Sequence, residues 1–319
     1  MKVSVNIATY NQVKYIAEAM DGALRQETNF EYEIIVADDC STDGTQEVIL
    51  EYAAKYPGKI IPLLHPKNLG GAGKFNAISA IETSRGQYIA TVDGDDYFCH
   101  PQKLQKQVDF LDAHPECSTC FHNAQIIWED GEFAPELVNG PEQKIISTVA
   151  DLVGEEEVWF MATSSVMFRN GLLKDYPEWY MKSKSGDIPR YILLAKKGNI
   201  GYIPEVMSVY RKNRNGISFT DHKWDAEFLY NRIGMYEGIN QELDYRFDKV
   251  LKKNIARYYR MLLDSKQYND RYFRRAGLAL KYLNLGRPNW RITKEVIRDY
   301  LIPESVLKIY STFRLLPHR

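Results

Sequence analysis

The sequence predicts an α/β protein with a mostly parallel central sheet, flanked by helices and followed by an all-helical C-terminal region. Three observations support this fold class. Apolar strand-like runs alternate with helical periodicities over the first hundred residues, polar residues collect directly after these runs, and strand patterns stop after Phe219. Regular strand–helix alternation is typical of doubly wound sheets, in which helices cover both faces.

The first hundred residues contain four strand-like runs, at 3–8, 33–38, 59–64 and 87–93. Helical spacing of apolar residues lies between them, at 12–26, 43–56 and 74–84. The polar segments that follow the strands are TYN, DDCSTDG, HPKNLGGAGK and DGDDYF. Because the carboxyl ends of parallel strands open onto one crevice, we expect these four segments to meet there and form a site.

The rest of the chain changes character near residue 220. Residues 101–219 predict helices at 101–114 and 187–198 and strands at 118–128, 164–168, 200–203 and 206–211. Residues 220–319 show helical periodicity alone, interrupted at NLGRP and IPES. We therefore predict one α/β domain at 1–219, made of the halves 1–100 and 101–219, and a helical region at 220–319.

Charge is unevenly distributed along the 319 residues, although the net value is only −1. From Asp244 to Arg319 there are 18 Lys and Arg against 7 Asp and Glu, a net of +11, which leaves −12 for the remainder. A basic tail favours an anionic contact, such as a membrane surface, a phosphate-bearing acceptor or an acidic subunit; the alternative is that its cations only face solvent. The overall balance predicts no nucleic-acid partner.

No apolar run reaches the roughly 18–20 residues of a membrane span, and the start of the chain is typical of a core strand and not of a signal peptide. The four cysteines make no secreted framework in a chain this long. Cys117, Cys120 and His122 have a spacing that could serve zinc, but a buried strand is the better interpretation of their segment. We expect a cytoplasmic protein.

Three carboxylates lie within four positions of the segment VDGDDYF, at Asp93, Asp95 and Asp96. Two carboxylates about 5 Å apart repel each other by roughly 3 kcal/mol at an effective dielectric of about 20. Mg²⁺ or Mn²⁺ would relieve this repulsion, because such an ion binds one or two protein carboxylates and fills its shell with phosphate oxygens and water. A helix start would account for Asp96 alone. The loop therefore predicts a metal site.

Ordered motifs across residues 1–218 resemble those of the inverting glycosyltransferases of family 2, which have the GT-A fold. The matching segments are VNIATYNQVKYIAEAMDGALRQ, EIIVADDCSTDGT, NLGGAGKFNAI, GQYIATVDGDDYF, TSSVMF and GDIPRYILLAKKGNIGYIPEVMSVYR. Single segments are unspecific, whereas the set in this order is specific. The resemblance implies a nucleotide-binding half at 1–100 and an acceptor half at 101–219, and it leaves the tail outside.

The resemblance also implies roles for individual residues. Nucleotide-sugar binding falls to Thr9, Tyr10, Asn11, Asp39, Asn68, Gly70, Gly71, Lys74, Asp93, Asp95 and Arg211. Within this set Asp39 would bind the base, Lys74 would balance a phosphate charge, and Asp95 would hold Mn²⁺ or Mg²⁺. Asp187 would be the general base that takes the acceptor's proton, and a helix cap is the alternative interpretation of that position.

The resemblance implies a metal-dependent, inverting transfer of a sugar from a nucleoside-diphosphate sugar to an acceptor hydroxyl. Asp39 points to a UDP-sugar as the donor. The acceptor would be a glycan or a lipid-linked molecule in cell-surface polysaccharide synthesis. The alternative is a catalytically inactive nucleotide-sugar-binding or scaffolding module. One position departs from the family, since Asn213 stands where relatives often carry His. The basic helices suggest peripheral contact with the inner face of the membrane, or packing on the catalytic domain or a second subunit as in a homo-oligomer.

Other nucleotide-binding classes fit less well. The first loop, NIATYNQ, lacks the glycines of a dinucleotide-binding fold. The segment GGAGKF has Phe75 where a P-loop requires the Ser or Thr that binds magnesium.

Overall fold

The computed structural model describes residues 1–154, 160–212, 225–265, 268, 271–303 and 306. The chain divides into two compact units, Met1–Leu152 with Val158–His222, and Val153–Glu157 with Lys223–Arg319. The sequence placed the division between 219 and 220 and did not anticipate that residues near 154 pack with the second unit. There the Asn254 Nδ2 amide donates a hydrogen bond to the Gly154 carbonyl (3.2 Å).

The first unit is built on a ten-stranded sheet within the described ranges. The main path of the sheet runs β3–β2–β1–β4–β9–β6–β10–β5, with β7 beside β6 and β8 beside β10. The strands are β1 (Val3–Thr9), β2 (Tyr32–Asp38), β3 (Ile60–Leu64), β4 (Tyr88–Asp93), β5 (Tyr97–Phe98), β6 (Cys117–Trp128), β7 (Glu136–Leu137), β8 (Ile146–Ser147), β9 (Met167–Arg169) and β10 (Asn199–Lys212).

The predicted α/β class with a mostly parallel central sheet is confirmed. Strands β1 to β4 pair in parallel, and the short strand β9 runs antiparallel between β4 and β6. Strands β1 and β2 are buried along nearly their whole length, which explains why they read as continuous apolar runs. The two strands predicted at 200–203 and 206–211 form one continuous strand, β10. Pro204 and Glu205, which separate the two predictions, lie in a bulge of the ladder between β10 and β6 and do not end the strand.

Helices of the first unit cover the sheet and end close to the predicted positions. They are α1 (Ile16–Leu24), α2 (Thr45–Lys55), α3 (Lys74–Thr83), α4 (Lys103–Ala113), α5 (Val149–Leu152), α6 (Glu178–Lys182) and α7 (Asp187–Ala195), with 3₁₀ turns at Gly71–Gly73 and Thr163–Ser165. Helix α1 starts four residues later than predicted, after a turn in which Asn11 has φ 51°. Val5, Ile7, Met20 and Ile34 lie fully buried in the core between α1 and the sheet.

The regular elements in the described part of the second unit are all helical, as the sequence predicts. Its elements are α8 (Ala226–Glu242), α9 (Asp248–Asp264), α10 (Tyr272–Gly286), α11 (Trp290–Val296) and a π-helical turn at Ile297–Leu301. Helix α9 packs against both α8 and α10 and buries Leu251, Ile255 and Leu262. Among the described helices of the chain, none is both long enough and apolar enough to cross a membrane.

Candidate active site

The loop after β1 is organised by its own polar side chains. The Thr9 hydroxyl donates to Gln12 Oε1 (2.8 Å), and Asn11 Oδ1 accepts the Thr42 amide from the loop after β2 (2.9 Å). Tyr10 projects outward with 48% of its surface exposed. Thr9 and Asn11 therefore shape the crevice wall, while Tyr10 offers a free aromatic face.

The loop after β2 is joined to the glycine-rich loop after β3. The Asp39 side chain is buried, and its Oδ1 accepts the Leu69 amide (2.6 Å). Asn68 donates to the Asp39 carbonyl (3.1 Å) and accepts the Gly70 amide (2.9 Å). One carboxylate oxygen of Asp39 thus accepts a hydrogen bond from the loop, and a carboxylate has a second oxygen that can accept one from a ligand.

The glycine-rich loop needs glycine for conformational reasons. Gly70 has φ 76° and ψ −156°, a region that residues with a side chain hardly enter. At Gly71 (φ 65°) an added Cβ would also lie 2.8 Å from the Phe75 ring. Around Gly70 an added Cβ would meet no atom within 4 Å, so this part of the loop borders open space.

Lys74, for which the sequence suggested a phosphate contact, has a different environment. Its side chain is buried, and its ammonium donates to the carbonyls of Tyr180 (2.8 Å), Met181 (2.8 Å) and Ser183 (2.5 Å). Burial lowers the pKa of the Lys74 amine. The three carbonyls use all three N–H donors of the ammonium, so Lys74 has none left for a phosphate. The expectation for Lys74 is corrected: it joins the start of α3 to the end of α6.

The acidic loop after β4 is packed tightly against the loop after β1. Asp93 closes β4, the Gly94 amide donates to the Ala8 carbonyl (2.8 Å), and the Asp96 amide donates to the Asp93 carbonyl (3.0 Å). A Cβ at Gly94 would lie 2.5 Å from Gln12 Oε1 and 2.7 Å from Thr9 Oγ1. Only glycine allows this approach, which brings the acids to the edge where Thr9 ends.

Asp96 is a structural carboxylate and not a helix start. It is buried, and its Oδ1 accepts the backbone amide of Arg211 from β10 (2.8 Å). The following helix, α4, begins at Lys103 without a side-chain cap. The helix-start interpretation of Asp96 is therefore wrong. Its Oδ2 is buried and has no hydrogen-bond partner among the described residues.

The three acids carry more negative charge than their surroundings neutralise. Burial, then repulsion from Asp187 and Asp95, raises the pKa of Asp93 to about 8. Burial also raises the pKa of Asp95, against Gln12 and Arg211, which lower it. Burial and the neighbouring carboxylates raise the pKa of Asp96 well above its usual value. Each ionised form is costly until a cation approaches.

Arg211 joins β10 to this loop. Its Nε donates to the Asp95 carbonyl (2.9 Å), and its Nη2 forms an ion pair with Glu18 on α1 (2.6 Å). Its guanidinium also lies over the Tyr15 ring, 4.8 Å from the centroid. Arg211 is thus fixed beside the acidic loop, with part of its charge already engaged by Glu18.

Asp187 stands at the start of α7, opposite the acidic loop. The cap position of α7 is held by Gly186, and Asp187 is the first residue of the helix, so Asp187 is not the cap. Its Oδ2 accepts the Thr163 hydroxyl (3.0 Å), and its Oδ1 is paired with the guanidinium of Arg190 (2.5 Å). The Asp187 side chain keeps 42% of its surface exposed, whereas that of Arg190 keeps 5%. A buried cation therefore anchors an accessible carboxylate.

Thr163 connects the two acidic groups. Its hydroxyl donates to Asp187, and the same polar side chain lies close enough to Asp93 to lower the pKa of that carboxyl. Its carbonyl accepts the Thr91 hydroxyl from β4 (2.8 Å), which fixes the 3₁₀ turn against the sheet. Sequence reasoning gave no role to Thr163 or Arg190. The three-residue spacing of Asp187 and Arg190 on one helix was the available signal for that ion pair.

The residues of the acidic loop fit a divalent ion that is held by one protein carboxylate together with substrate phosphates. Among the described residues, no three His, Cys, Asp or Glu side chains are grouped so as to hold a metal. Mg²⁺ and Mn²⁺ do not require such a cage, since one carboxylate plus substrate phosphates suffices. Asp95, with a raised pKa and partial exposure, provides such a carboxylate.

Two sequence expectations concern other positions. Cys117 and Cys120 are free and buried in β6, and the buried His122 beside them has a pKa lowered by burial, which fits the strand interpretation better than zinc. Asn213, which departs from the family, lies outside the described residues.

The fold and the crevice together define a GT-A protein, in which acidic and glycine-rich loops meet at the carboxyl edge of a mostly parallel sheet. The family model described as glycosyl transferase family 2 matches residues 4–177. The chain belongs to this family.

Relatives by sequence include an uncharacterized protein of Mycobacterium tuberculosis, 37% identical over 236 residues, which cover 70% of this chain and 64% of that protein. The poly(ribitol-phosphate) beta-N-acetylglucosaminyltransferase TarS of Staphylococcus aureus is 25% identical over 332 residues, covering 100% of this chain and 53% of TarS. The chain thus spans between about half and two thirds of the length of these relatives.

Two solved structures support the fold. TarS 1–349 in complex with UDP-GlcNAc has a TM-score of 0.60 at 20% identity, over 96% of this chain and 83% of that one. The mannosyltransferase PcManGT of Pyrobaculum calidifontis, in complex with GDP-Man and Mn²⁺, has a TM-score of 0.50 at 15% identity, over 99% and 81%. At these identities the likeness concerns the fold.

Proposed function

We propose that the protein is a metal-dependent, inverting glycosyltransferase that moves a sugar from a nucleoside-diphosphate sugar to an acceptor hydroxyl. The observation that carries the proposal is the pairing of two acidic groups across one crevice. Asp93 and Asp95 lie at the end of β4, Asp187 at the start of α7 is close enough to raise the pKa of Asp93, and the Thr163 hydroxyl donates a hydrogen bond to Asp187. A donor bound at the first group would present its sugar to a base at the second.

The donor side is proposed to bind the nucleotide sugar through loops from three strands. Tyr10 and Asp39 would face the base, with Asp39 accepting a hydrogen bond through its second oxygen. The glycine-rich loop, including Gly70, would let the donor approach the main chain. Asp93 would bind the ribose or the sugar. Thr9, Asn11 and Asn68 would act through the loop shapes that they fix.

Asp95 is proposed to hold the Mn²⁺ or Mg²⁺ ion. When bound, the ion would offset the negative charge that develops on the departing diphosphate. Binding of the ion would also favour the ionised forms of Asp93 and Asp95, whose pKa values are raised first by burial and then by neighbouring carboxylates. Arg211, already paired with Glu18, would contribute less phosphate binding than a free arginine.

Asp187 is proposed as the general base. Its carboxylate is accessible, yet it is oriented by Thr163 and Arg190, as a base that must meet a hydroxyl requires. Removal of the acceptor's proton by a positioned group typically contributes about 10²–10⁴-fold in rate. A single displacement assisted by this base would invert the anomeric carbon.

The donor and acceptor classes are proposed by analogy. TarS by its name transfers N-acetylglucosamine to poly(ribitol-phosphate), and its structure was solved with UDP-GlcNAc. We infer a UDP-sugar donor and a cell-surface glycan or lipid-linked acceptor for this chain. The Mn²⁺ in the mannosyltransferase complex supports a divalent ion at the same kind of site.

The test is a panel of UDP- and GDP-sugars with Mn²⁺, Mg²⁺ or EDTA, in which release of nucleoside diphosphate is measured with and without glycan acceptors. We expect metal-dependent release with a UDP-sugar that an acceptor accelerates, and a product of inverted anomeric configuration by NMR. Binding of UDP and Mn²⁺ without turnover on any acceptor would support the inactive binding module instead. Uptake of donor that neither ion improves would refute the metal site.

A further inference from the structure

The outward face of α10 is apolar and uncovered in the described part of the second unit. Phe273 is 88% exposed and Leu280 is 57% exposed, and a Cβ added at Gly277, between them, would meet no atom within 4 Å. The spacing of i, i+4 and i+7 puts all three on one side of the helix. We call Phe273, Gly277 and Leu280 the α10 outer face.

The opposite side of α10 packs against α9, and this contact determines that the α10 outer face points away from α9. Leu278 and Ala279 are buried, and a Cβ at Gly286 would lie 3.0 Å from the Ala256 methyl group of α9. Helix α10 is therefore packed on α9 and is not free to rotate its apolar residues inward. Among the described residues, Phe273 and Leu280 project from the side of α10 that lies opposite its contact with α9.

Cations surround the α10 outer face. Residues 271–300 contain 8 Lys and Arg against 2 Asp and Glu, a net of +6. Arg274, Lys281 and Arg287 are exposed on α10 or at its end. Trp290, at the start of the next helix, is 68% exposed. Protruding aromatic and aliphatic side chains among Lys and Arg are typical of helices that lie in a membrane interface.

We propose that the α10 outer face binds the surface of an anionic lipid bilayer. Phe273 and Leu280 insert into the headgroup boundary, where apolar side chains leave water, while Arg274, Lys281 and Arg287 remain at the level of the lipid phosphates. The two contributions can be told apart by their response to salt. Added salt weakens the attraction between the cations and the lipid phosphates, whereas the insertion of the apolar side chains is not weakened.

A second copy of the chain is a poorer occupant. In a two-fold dimer the same face would meet itself, and the basic residues of both copies would be brought together. A peptide partner would be expected to enter a groove, whereas Phe273 and Leu280 protrude. An acidic protein surface has complementary charge, and its binding is one outcome of the experiment below.

The experiment compares aspartate at two glycines of the same unit. Gly277→Asp places a carboxylate on the α10 outer face, whereas Gly234→Asp places one on α8, where an added Cβ also meets no atom within 4 Å. Gly277→Ala controls for the loss of glycine. The full-length proteins are sedimented with vesicles of phosphatidylcholine, with and without phosphatidylglycerol, at low and high salt.

The parent chain, Gly234→Asp and Gly277→Ala are expected to bind vesicles that contain phosphatidylglycerol, less so at high salt. Gly277→Asp and, separately, Phe273→Ser/Leu280→Ser are expected to bind about tenfold more weakly. Equal binding by all variants, no binding by the parent chain, or size-exclusion evidence that the face binds a second copy or an acidic protein would overturn the proposal. Thermal unfolding verifies that each variant is folded.

The result does not depend on sugar transfer. Release of nucleoside diphosphate from the donor, in the presence of a water-soluble acceptor, is measured on the same variants, and it should remain unchanged when vesicle binding is lost. Absence of turnover in every protein, with vesicle binding intact, would instead count against the proposed function alone.

Discussion

Asp187→Asn tests the proposed base, and the structure predicts that it will also change stability. The substitution removes the charge that pairs with Arg190, whose guanidinium is almost completely buried. Asparagine keeps one oxygen that can accept a hydrogen bond, but the cation loses its carboxylate. Transfer should fall by about 10²–10⁴-fold, the usual contribution of a positioned base, while affinity for the donor is retained.

The expected cost in stability follows from the burial of the two partners. Removing one member of a fully buried ion pair costs about 3–5 kcal/mol. Here Asp187 is 42% exposed, so solvent already screens the pair, and we expect a loss of about 2 kcal/mol in the free energy of unfolding. A second change, Arg190→Gln, removes the stranded cation. The double variant should recover most of the stability and none of the transfer.

Urea unfolding, calorimetric titration of the donor with Mn²⁺, and release of nucleoside diphosphate in the presence of acceptor separate these effects. Full transfer by Asp187→Asn would show that the base lies elsewhere. Unchanged unfolding in Asp187→Asn would show that Arg190 does not depend on this carboxylate. Recovery of transfer in the double variant would show that the loss came from misfolding and not from chemistry.

Three further predictions concern the acidic loop and the core. Asp95→Ala should weaken metal-dependent donor binding about tenfold or more in calorimetry, and unchanged affinity would exclude it as a ligand. Gly94→Ala should reduce donor binding, because its Cβ would lie 2.5 Å from Gln12 Oε1; normal binding would show that the loop can relax. Lys103, buried 3.9 Å from the centroid of the Phe98 ring, has its pKa lowered to about 7 by burial. The unfolded chain then binds more protons between about pH 7 and 10, so stability should rise with pH in that window. Lys103→Met should be the more stable protein at pH 7, by up to about 4 kcal/mol, with an advantage that shrinks toward pH 10; a constant difference in urea unfolding would contradict this.

The strands and the polar loops of the first hundred residues were predictable because their signal is local. Strands β1 and β2 are buried on both faces, so their sequences are continuous apolar runs bounded by polar loops. The crowding of Asp93, Asp95 and Asp96 is likewise visible in seven consecutive letters.

Contacts between distant segments left no such signal. The carbonyl partners of Lys74 lie more than 100 positions away, and the amide that Asp96 accepts lies 115 positions away. The phosphate contact of Lys74 was implied by the resemblance, and the helix start was the alternative interpretation of Asp96; neither could take account of partners so distant in the sequence. The position of Thr163 likewise depends on a hydrogen bond from Thr91, 72 positions earlier.

Strand β9 has a consequence for how such enzymes can diversify. Along the main path of the described sheet, the three residues Met167–Arg169 of β9 join the parallel strands β1 to β4 to strand β6, and β6 pairs in turn with β10. Because β9 has only three residues, it can be kept unchanged while the neighbouring segments of 101–212 are exchanged. Chimeras that retain Met167–Arg169, with the remainder of 101–212 taken from a relative, would test whether that part of the chain selects the proposed acceptor.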